Sequence, residues 1–220
     1  MPMIYNLFNK LKDLENENTH ENSFCPVVNE DNNIPNLPNE PINGINLDTK
    51  REKSSIPRAG HDQILIFGVI DWIYPSPMQF YNALVMKNKD DGNSNYMSEA
   101  VKAHNEVNEL SWKKILKWEK LHQKECKNPK LRRFVGKYNN PSPKSFFIRL
   151  FTRFEKPFDR HDWYIDRCGK EIRYILDYYD DPKSQNYLQV FVDVRPALDN
   201  FTNFFDRIKF TFLTLFKFIQ

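Results

Sequence analysis

The chain is poor in glycine, poor in cysteine and nearly balanced in charge. Six glycines in 220 residues leave little material for loops that cradle phosphates, and neither a GxGxxG nor a Walker-type run occurs. The three cysteines, Cys25, Cys126 and Cys168, lie far apart and form no CxxC pair, which speaks against a structural zinc site and a dense disulfide framework. Their number fits a mostly reduced protein, with a Cys126–Cys168 bridge as the alternative in an oxidising compartment. With 32 basic against 29 acidic residues the net charge is only +3, so bulk charge confers no strong affinity for polyanions and nucleic acid is not the expected partner. Long apolar runs are absent too. The longest, Ile64–Ile70 (ILIFGVI), is far short of the ~20 residues of a spanning helix. Met1–Asn16 has neither a long apolar core nor a small-residue cleavage site, so no cleavable secretory signal is expected and the protein reads as soluble or membrane-peripheral.

Aromatic side chains are abundant: they make up 15% of the chain, with 18 Phe and 10 Tyr. Ser98–Cys126 concentrates two of the five histidines and two of the four tryptophans. At about 100° per residue, a continuous helix there sets His104, Asn108, Ile115, Trp118 and His122 along one stripe, with Val101, Val107 and Trp112 beside it. A core helix carries such a stripe, and so does the wall of a flat cofactor pocket. Spacing alone leaves His104 and His122 as hydrogen-bonded core histidines or as ligands. Asn108 followed by Glu109 resembles an N-cap with a carboxylate in the first turn. A break after Val107 would let Glu109 support a site at His104, whereas in an unbroken helix Glu109 points well away.

Residues 1–50, rich in Asn, Glu, Asp and Pro, bury too little to offset ordering entropy and are expected to form a mostly disordered tail before a folded domain over 51–220. Cys25-Pro26-Val27 within it has the form of a short haem-binding pattern, a soft thiolate held on extended chain. The prolines of Trp72-Ile73-Tyr74-Pro75-Ser76-Pro77 force an extended or turn segment that fixes Trp72 and Tyr74. A helix begins after it, and Tyr74 and Asn82 are either ligand contacts or packing residues. Lys130–Ser145 reads as a basic connector, and Pro157–Trp163 (PFDRHDW), with His161, as a hydrogen-bonded corner or a site. Asp166–Tyr179 and Tyr187–Arg195 alternate like two strands of an antiparallel hairpin. Arg167, Arg173 and Arg195 on these strands either hold a ligand's carboxylates or pair internally. Phe201–Gln220 is an apolar helical stretch that either packs on the domain or lies in a membrane interface. Together these readings predict an α+β fold: a single irregular domain with several helices and a small antiparallel sheet.

Several blocks in fixed order resemble the mitochondrial holocytochrome c synthases, the cytochrome c-type haem lyases. They are Cys25-Pro26-Val27, Ser55-Ile56-Pro57-Arg58, Trp72 to Pro77, Phe80-Tyr81-Asn82-Ala83-Leu84, His104-Asn105 with Asn108-Glu109, Leu116-Lys117-Trp118-Glu119, Pro157–Cys168 and Val194–Asp199. They span nearly all of Arg51–Asn200, and PFDRHDWYIDRCGKEIRY is long enough to exclude coincidence. The resemblance implies an enzyme that binds haem b and attaches it by two thioether bonds to the Cys-x-x-Cys-His segment of apocytochrome c or c1. It would work in the mitochondrial intermembrane space, peripheral on the inner membrane. The resemblance also implies His104 as an axial iron ligand, with Glu109 and Arg167 as functionally sensitive positions. Trp118 is the candidate for packing on the porphyrin, Tyr74 for lining it, Arg167 for a propionate or a structural carboxylate, and Asn82, His161 and Cys25 for further haem contacts. The alternative is a non-catalytic haem-binding or haem-sensing protein.

Overall fold

The computed structural model describes residues 40–41, 44–59, 71–86, 94–137, 142–151, 155–181 and 188–216. Cys25 and the Ile64–Ile70 run lie outside the described residues, as does most of the expected tail. Strand β1 (Lys53–Pro57) pairs antiparallel with β2 (Asp71–Ile73), and helices α1 (Pro77–Met86) and α2 (Met97–Glu119) follow, the latter running into a 3-10 turn at Lys120–His122. Next come β3 (Lys130–Gly136), α3 (Pro143–Phe151), β4 (Asp159–Arg167), β5 (Lys170–Asp180), β6 (Val190–Pro196) and α4 (Phe201–Leu215). The four later strands form one antiparallel sheet in the order β3-β4-β5-β6. The fold is α+β, with four helices and two small antiparallel sheets among the described residues.

Alternation along the strands decides which face is covered. His161, Trp163, Ile165 and Arg167 of β4 are buried on one face, as are Ile172, Tyr174, Leu176 and Tyr178 of β5 and Val190, Val192 and Val194 of β6. Helix α2 lays Val107, Trp112, Ile115 and Trp118 into the same core. Its first turns pack instead on α1, where Met97 and Val101 meet Phe80, Tyr81 and Leu84, and this cluster reaches back to Ile45 and Leu47. Helix α1 starts with a reciprocal cap: Ser76 Oγ accepts from the Gln79 amide at 3.1 Å, and Gln79 Oε1 from the Ser76 amide at 3.2 Å. Pro77 opens the helix, where a missing N–H costs nothing.

Several sequence expectations are corrected. Helix α2 runs unbroken through Asn108, because the Asn108 carboxamide reaches back to His104 rather than capping a new helix. Burial of both halves of α2 outweighs the few tenths of a kcal/mol that a mid-helix Asn costs. The basic connector contains strand β3, whose Arg132 and Arg133 reach Glu171 on the neighbouring hairpin, and the start of α3. The corner at Pro157–Trp163 runs into β4, and the hairpin's first strand begins at Lys170, after a turn at Cys168 and Gly169. Both turn residues have positive φ, 47° and 95°, which Gly169 adopts without strain. The expectation of a mostly reduced chain also fails: Cys126 and Cys168 form a disulfide, with Cα atoms 5.6 Å apart. The two cysteines are 42 positions apart, and β3, α3 and β4 lie between them and return the chain to the end of α2.

Candidate functional site

Helix α2 and strand β4 are matched in length. From His104 to Glu119 the helix rises about 22 Å, and from His161 to Arg167 the strand rises about 20 Å. Two polar clusters therefore form between the same two elements, one at each end.

At the first end His104 is partly buried and its ring lies against Phe80 of α1, centroids 5.7 Å apart. The Asn108 amide nitrogen is 3.3 Å from its Nδ1. Burial, and then the charge of His161, pull its pKa down to about 4, against smaller opposing effects of Asn105 and Asp159. His161 sits under an aromatic roof, its ring 6.3 Å from Phe134 and 5.4 Å from Tyr178. Burial opposes its charge, but Asp159, with Oδ2 3.1 Å from Nε2, more than offsets this and raises the pKa. Asp159 is itself held low by the same pair, again against its burial. Both ring nitrogens of His161 are buried without a hydrogen-bond partner among the described residues, as are the indole nitrogens of Trp72 and Trp163, whose rings are tilted against Phe134. One imidazole is thus kept neutral beside another that favours its proton. A neutral imidazole offers a lone pair to a metal, and that describes His104. The Nε2 of His161 lies at ion-pair distance from the Asp159 carboxylate, without hydrogen-bond geometry.

The second end is held together by an ion pair, with Arg167 Nη1 left buried without a hydrogen-bond partner among the described residues. Arg167 grips Glu119 with a fork, Nε to Oε2 at 2.7 Å and Nη2 to Oε1 at 2.8 Å, and the Tyr174 hydroxyl donates to Oε1 at 2.6 Å. All three residues are at most 3% exposed. His122 Nε2 is 2.8 Å from Asp206 of α4, and the Cys126–Cys168 bridge lies alongside in sequence. Trp118 donates its indole N–H to Val194 O at 2.8 Å and has one face covered by Phe210 of α4, centroids 3.9 Å apart.

The structure therefore brings His104 and His161 to one end of α2 and places Trp118 and Arg167 at the other. Glu109 belongs to neither. It points toward β1, where its carboxylate accepts from Ser54 Oγ at 2.6 Å, Ser55 N at 3.0 Å, Tyr74 OH at 3.0 Å and also from Ser55 Oγ. Its partial burial opposes ionisation, yet these donors hold the carboxyl below its ordinary range. Burial and the neighbouring Glu109 push the Tyr74 phenol in the opposite direction, well up. Asn82 is fully buried in α1 and donates to Glu40 O at 3.0 Å. Phe80, Asn108 and Asp159, which complete the surroundings of the two histidines, were not singled out from the sequence as site residues. Asp159 had a visible signal, since residues two apart on a strand share a face and His161 is two further on.

A family model described as cytochrome c/c1 heme lyase matches residues 6–211. The chain is 44% identical over 211 residues to the holocytochrome c-type synthase of Gallus gallus, covering 88% of this chain and 74% of that protein. It is 37% identical over 219 residues to the holocytochrome-c synthase of Saccharomyces cerevisiae (84% and 79%). It is 34% identical over 200 residues to a putative holocytochrome-c1 synthase of Schizosaccharomyces pombe (84% and 88%). No solved structure matches.

Proposed function

On the ground that the chain belongs to the cytochrome c/c1 haem lyase family and is a lyase that forms thioether bonds in cytochrome c maturation, we propose that it takes haem b as substrate at the His104 end of α2. There it joins the haem to the Cys-x-x-Cys-His segment of apocytochrome c or c1. The observation that carries this reading is the neutral, partly buried His104 beside His161, whose proton Asp159 favours. His104 supplies one axial imidazole to the haem iron, and the histidine of the incoming segment supplies the other. If the Asn108 carboxamide turns its oxygen to the Nδ1 proton, Nε2 keeps the free lone pair, and the same contact fixes the ring's orientation. Phe80 gives the site an apolar wall.

The bond-forming chemistry resides in haem and substrate. Each thiol adds across a vinyl group, the sulfur bonding to the inner carbon and the proton going to the terminal one, with no net redox change. The protein's contribution is alignment, which turns two improbable encounters into near-intramolecular steps. Glu109 and Arg167 act as positioning residues: Glu109 ties α2 to β1 and Tyr74, and Arg167 ties its far end to β4. His161, Tyr74 and Asn82 shape the haem-facing region, Trp118 fixes the far end of α2 against β6 and α4, and Cys25 makes a transient haem contact. The proposed location is the mitochondrial intermembrane space, on the periphery of the inner membrane. The Cys126–Cys168 bridge agrees with an oxidising compartment, and no helix among the described residues is long and apolar enough to cross a membrane.

Co-expression of the chain with apocytochrome c, and separately with apocytochrome c1, tests the reading through covalent haem staining. The expected result is a stained cytochrome with the wild-type chain and none with His104→Ala. Normal maturation by that variant contradicts the ligand assignment.

A further inference from the structure

Helix α4 is inside out for a packing helix. At about 100° per residue, Phe201, Phe204, Phe205, Ile208, Phe212 and Leu215 fall in one arc of about 100°, and all are exposed, Phe201 by 84% and Leu215 by 73%. The residues it buries are Asn203 and Asp206. Asn203 donates to Ala197 O at 2.6 Å, Asp206 meets His122, and Arg207 donates to Pro196 O at 2.8 Å. The helix is held to the domain by hydrogen bonds on its polar side, with Phe210 on Trp118 as the apolar contact. Isolated exposed phenylalanines need no explanation, but a contiguous face of them marks an interaction surface.

Charge identifies the partner. Lys209 is exposed at one margin of the arc. On the other side Arg207 lines a groove of about 530 Å³ between α4 and the start of α3, together with Arg195 and Lys144, which are themselves paired with Asp177 and Asp193. Among the described residues no carboxylate lies within ion-pair reach of Arg207 or Lys209. Burial and then Arg195 lower the pKa of Arg207, opposed by Asp193 and Asp199. Across the groove, α3 exposes Phe146, Leu150 and Phe151. An apolar face flanked by cations on both margins is the pattern of a helix lying in a bilayer interface.

We infer that α4 is an interfacial membrane helix whose phenylalanine face enters the acyl region of a bilayer while Arg207 and Lys209 take the phosphates of anionic phospholipid headgroups. The inference rests on the peripheral-membrane part of the reading above and names the surface and lipid chemistry that serve it. A second copy of the chain or a protein partner on this face is the competing occupant.

The experiment is co-sedimentation of the purified full chain with phosphatidylcholine vesicles, with or without a quarter of phosphatidylglycerol, with spins lacking vesicles to correct for self-association. Wild type should bind the anionic vesicles at least tenfold more tightly than the neutral ones, and added salt should erase the preference. Lys209→Glu should weaken anionic binding by about tenfold or more, and Phe205→Asp/Phe212→Asp should abolish binding to both. Both substituted sets are exposed, and circular dichroism checks that the fold is kept. The proposal is overturned by equal binding to the two vesicle types, by wild-type binding of the phenylalanine variant, or by a concentration-dependent dimer without vesicle binding. Haem titration of the same samples separates the two readings. A phenylalanine variant that takes up haem but not vesicles supports the membrane face, and a wild-type chain that binds vesicles but no haem sinks the haem reading alone.

Discussion

The two ends of α2 are built from the same materials, buried histidine, carboxylate and aromatic side chains between one helix and one sheet, and they differ in where the polar groups find partners. At the Glu119 end both carboxylate oxygens are taken by Arg167 and Tyr174, and a disulfide lies next to them in sequence. At the His104 end one imidazole is pushed neutral, its neighbour's proton is favoured by Asp159, and the buried His161 nitrogens have no hydrogen-bond partner among the described residues. A carboxylate with both oxygens gripped by a guanidinium fork and a phenol is a fastening, whereas a neutral imidazole with a free ring nitrogen can still take a ligand. The difference gives Arg167 and His104 opposite expected phenotypes, although both lie in the blocks that carry the family resemblance.

Breaking the fastened end should have the largest effect on stability. Arg167→Ala leaves Glu119 as a buried charge with only Tyr174, and should cost about 3–5 kcal/mol in denaturant unfolding. Arg167→Lys should recover only part of this, because it loses the fork. Next in size is the disulfide: Cys126→Ser, or reduction of the wild type, should cost about 2–4 kcal/mol, read as a shift in the unfolding midpoint. Glu109→Gln removes charge-assisted bonds from Ser54, Ser55 and Tyr74, and should cost about 1.5–3 kcal/mol while the protein still takes up haem. Smallest is His104→Ala, which should stay within about 1 kcal/mol of wild-type stability. If His104→Ala unfolded the protein as readily as Arg167→Ala, the contrast between the two ends would collapse.

The pH dependence sharpens the same contrast. A His104 pKa lowered to about 4 means the unfolded chain, with an ordinary histidine, binds the proton first as pH falls. The stability from the neutral ring is therefore complete above the ordinary histidine range and is lost as pH drops toward about 4. Protons also begin to compete with iron for the ring only near that value. Axial ligation, followed by the haem absorption band, should persist through pH 5 and fail on approach to about pH 4. Loss already near pH 6.5 would mean that the site does not keep the ring neutral.

Much of this was legible in the residues. The α2 stripe, the hairpin of β5 and β6, and the divergence of Glu109 from His104 in an unbroken helix all follow from periodicity. The internal pairing of Arg195 with Asp177 and Asp193 stood among the alternatives. What stayed hidden depended on long-range contacts. Strand β3 is rich in charge because its arginines pair with Glu171 across the sheet, which nothing local reveals. Trp118 shares the His104 stripe, yet fourteen residues of helix separate them by about 21 Å, so a common stripe does not make a common site. The Cys126–Cys168 bridge and an outward-facing C-terminal helix both stood among the alternatives, but only the fold decides them, by bringing the two cysteines together and by turning Asn203 and Asp206 toward the domain.

The central claim is that the His104 end is the ligand site. Its most direct test is the visible spectrum of the haem-loaded full chain with His104→Ala, recorded before and after addition of free imidazole. The account predicts that the six-coordinate band is lost in the variant and restored by imidazole, while the unfolding midpoint barely moves. A variant whose spectrum matches wild type without imidazole would contradict it.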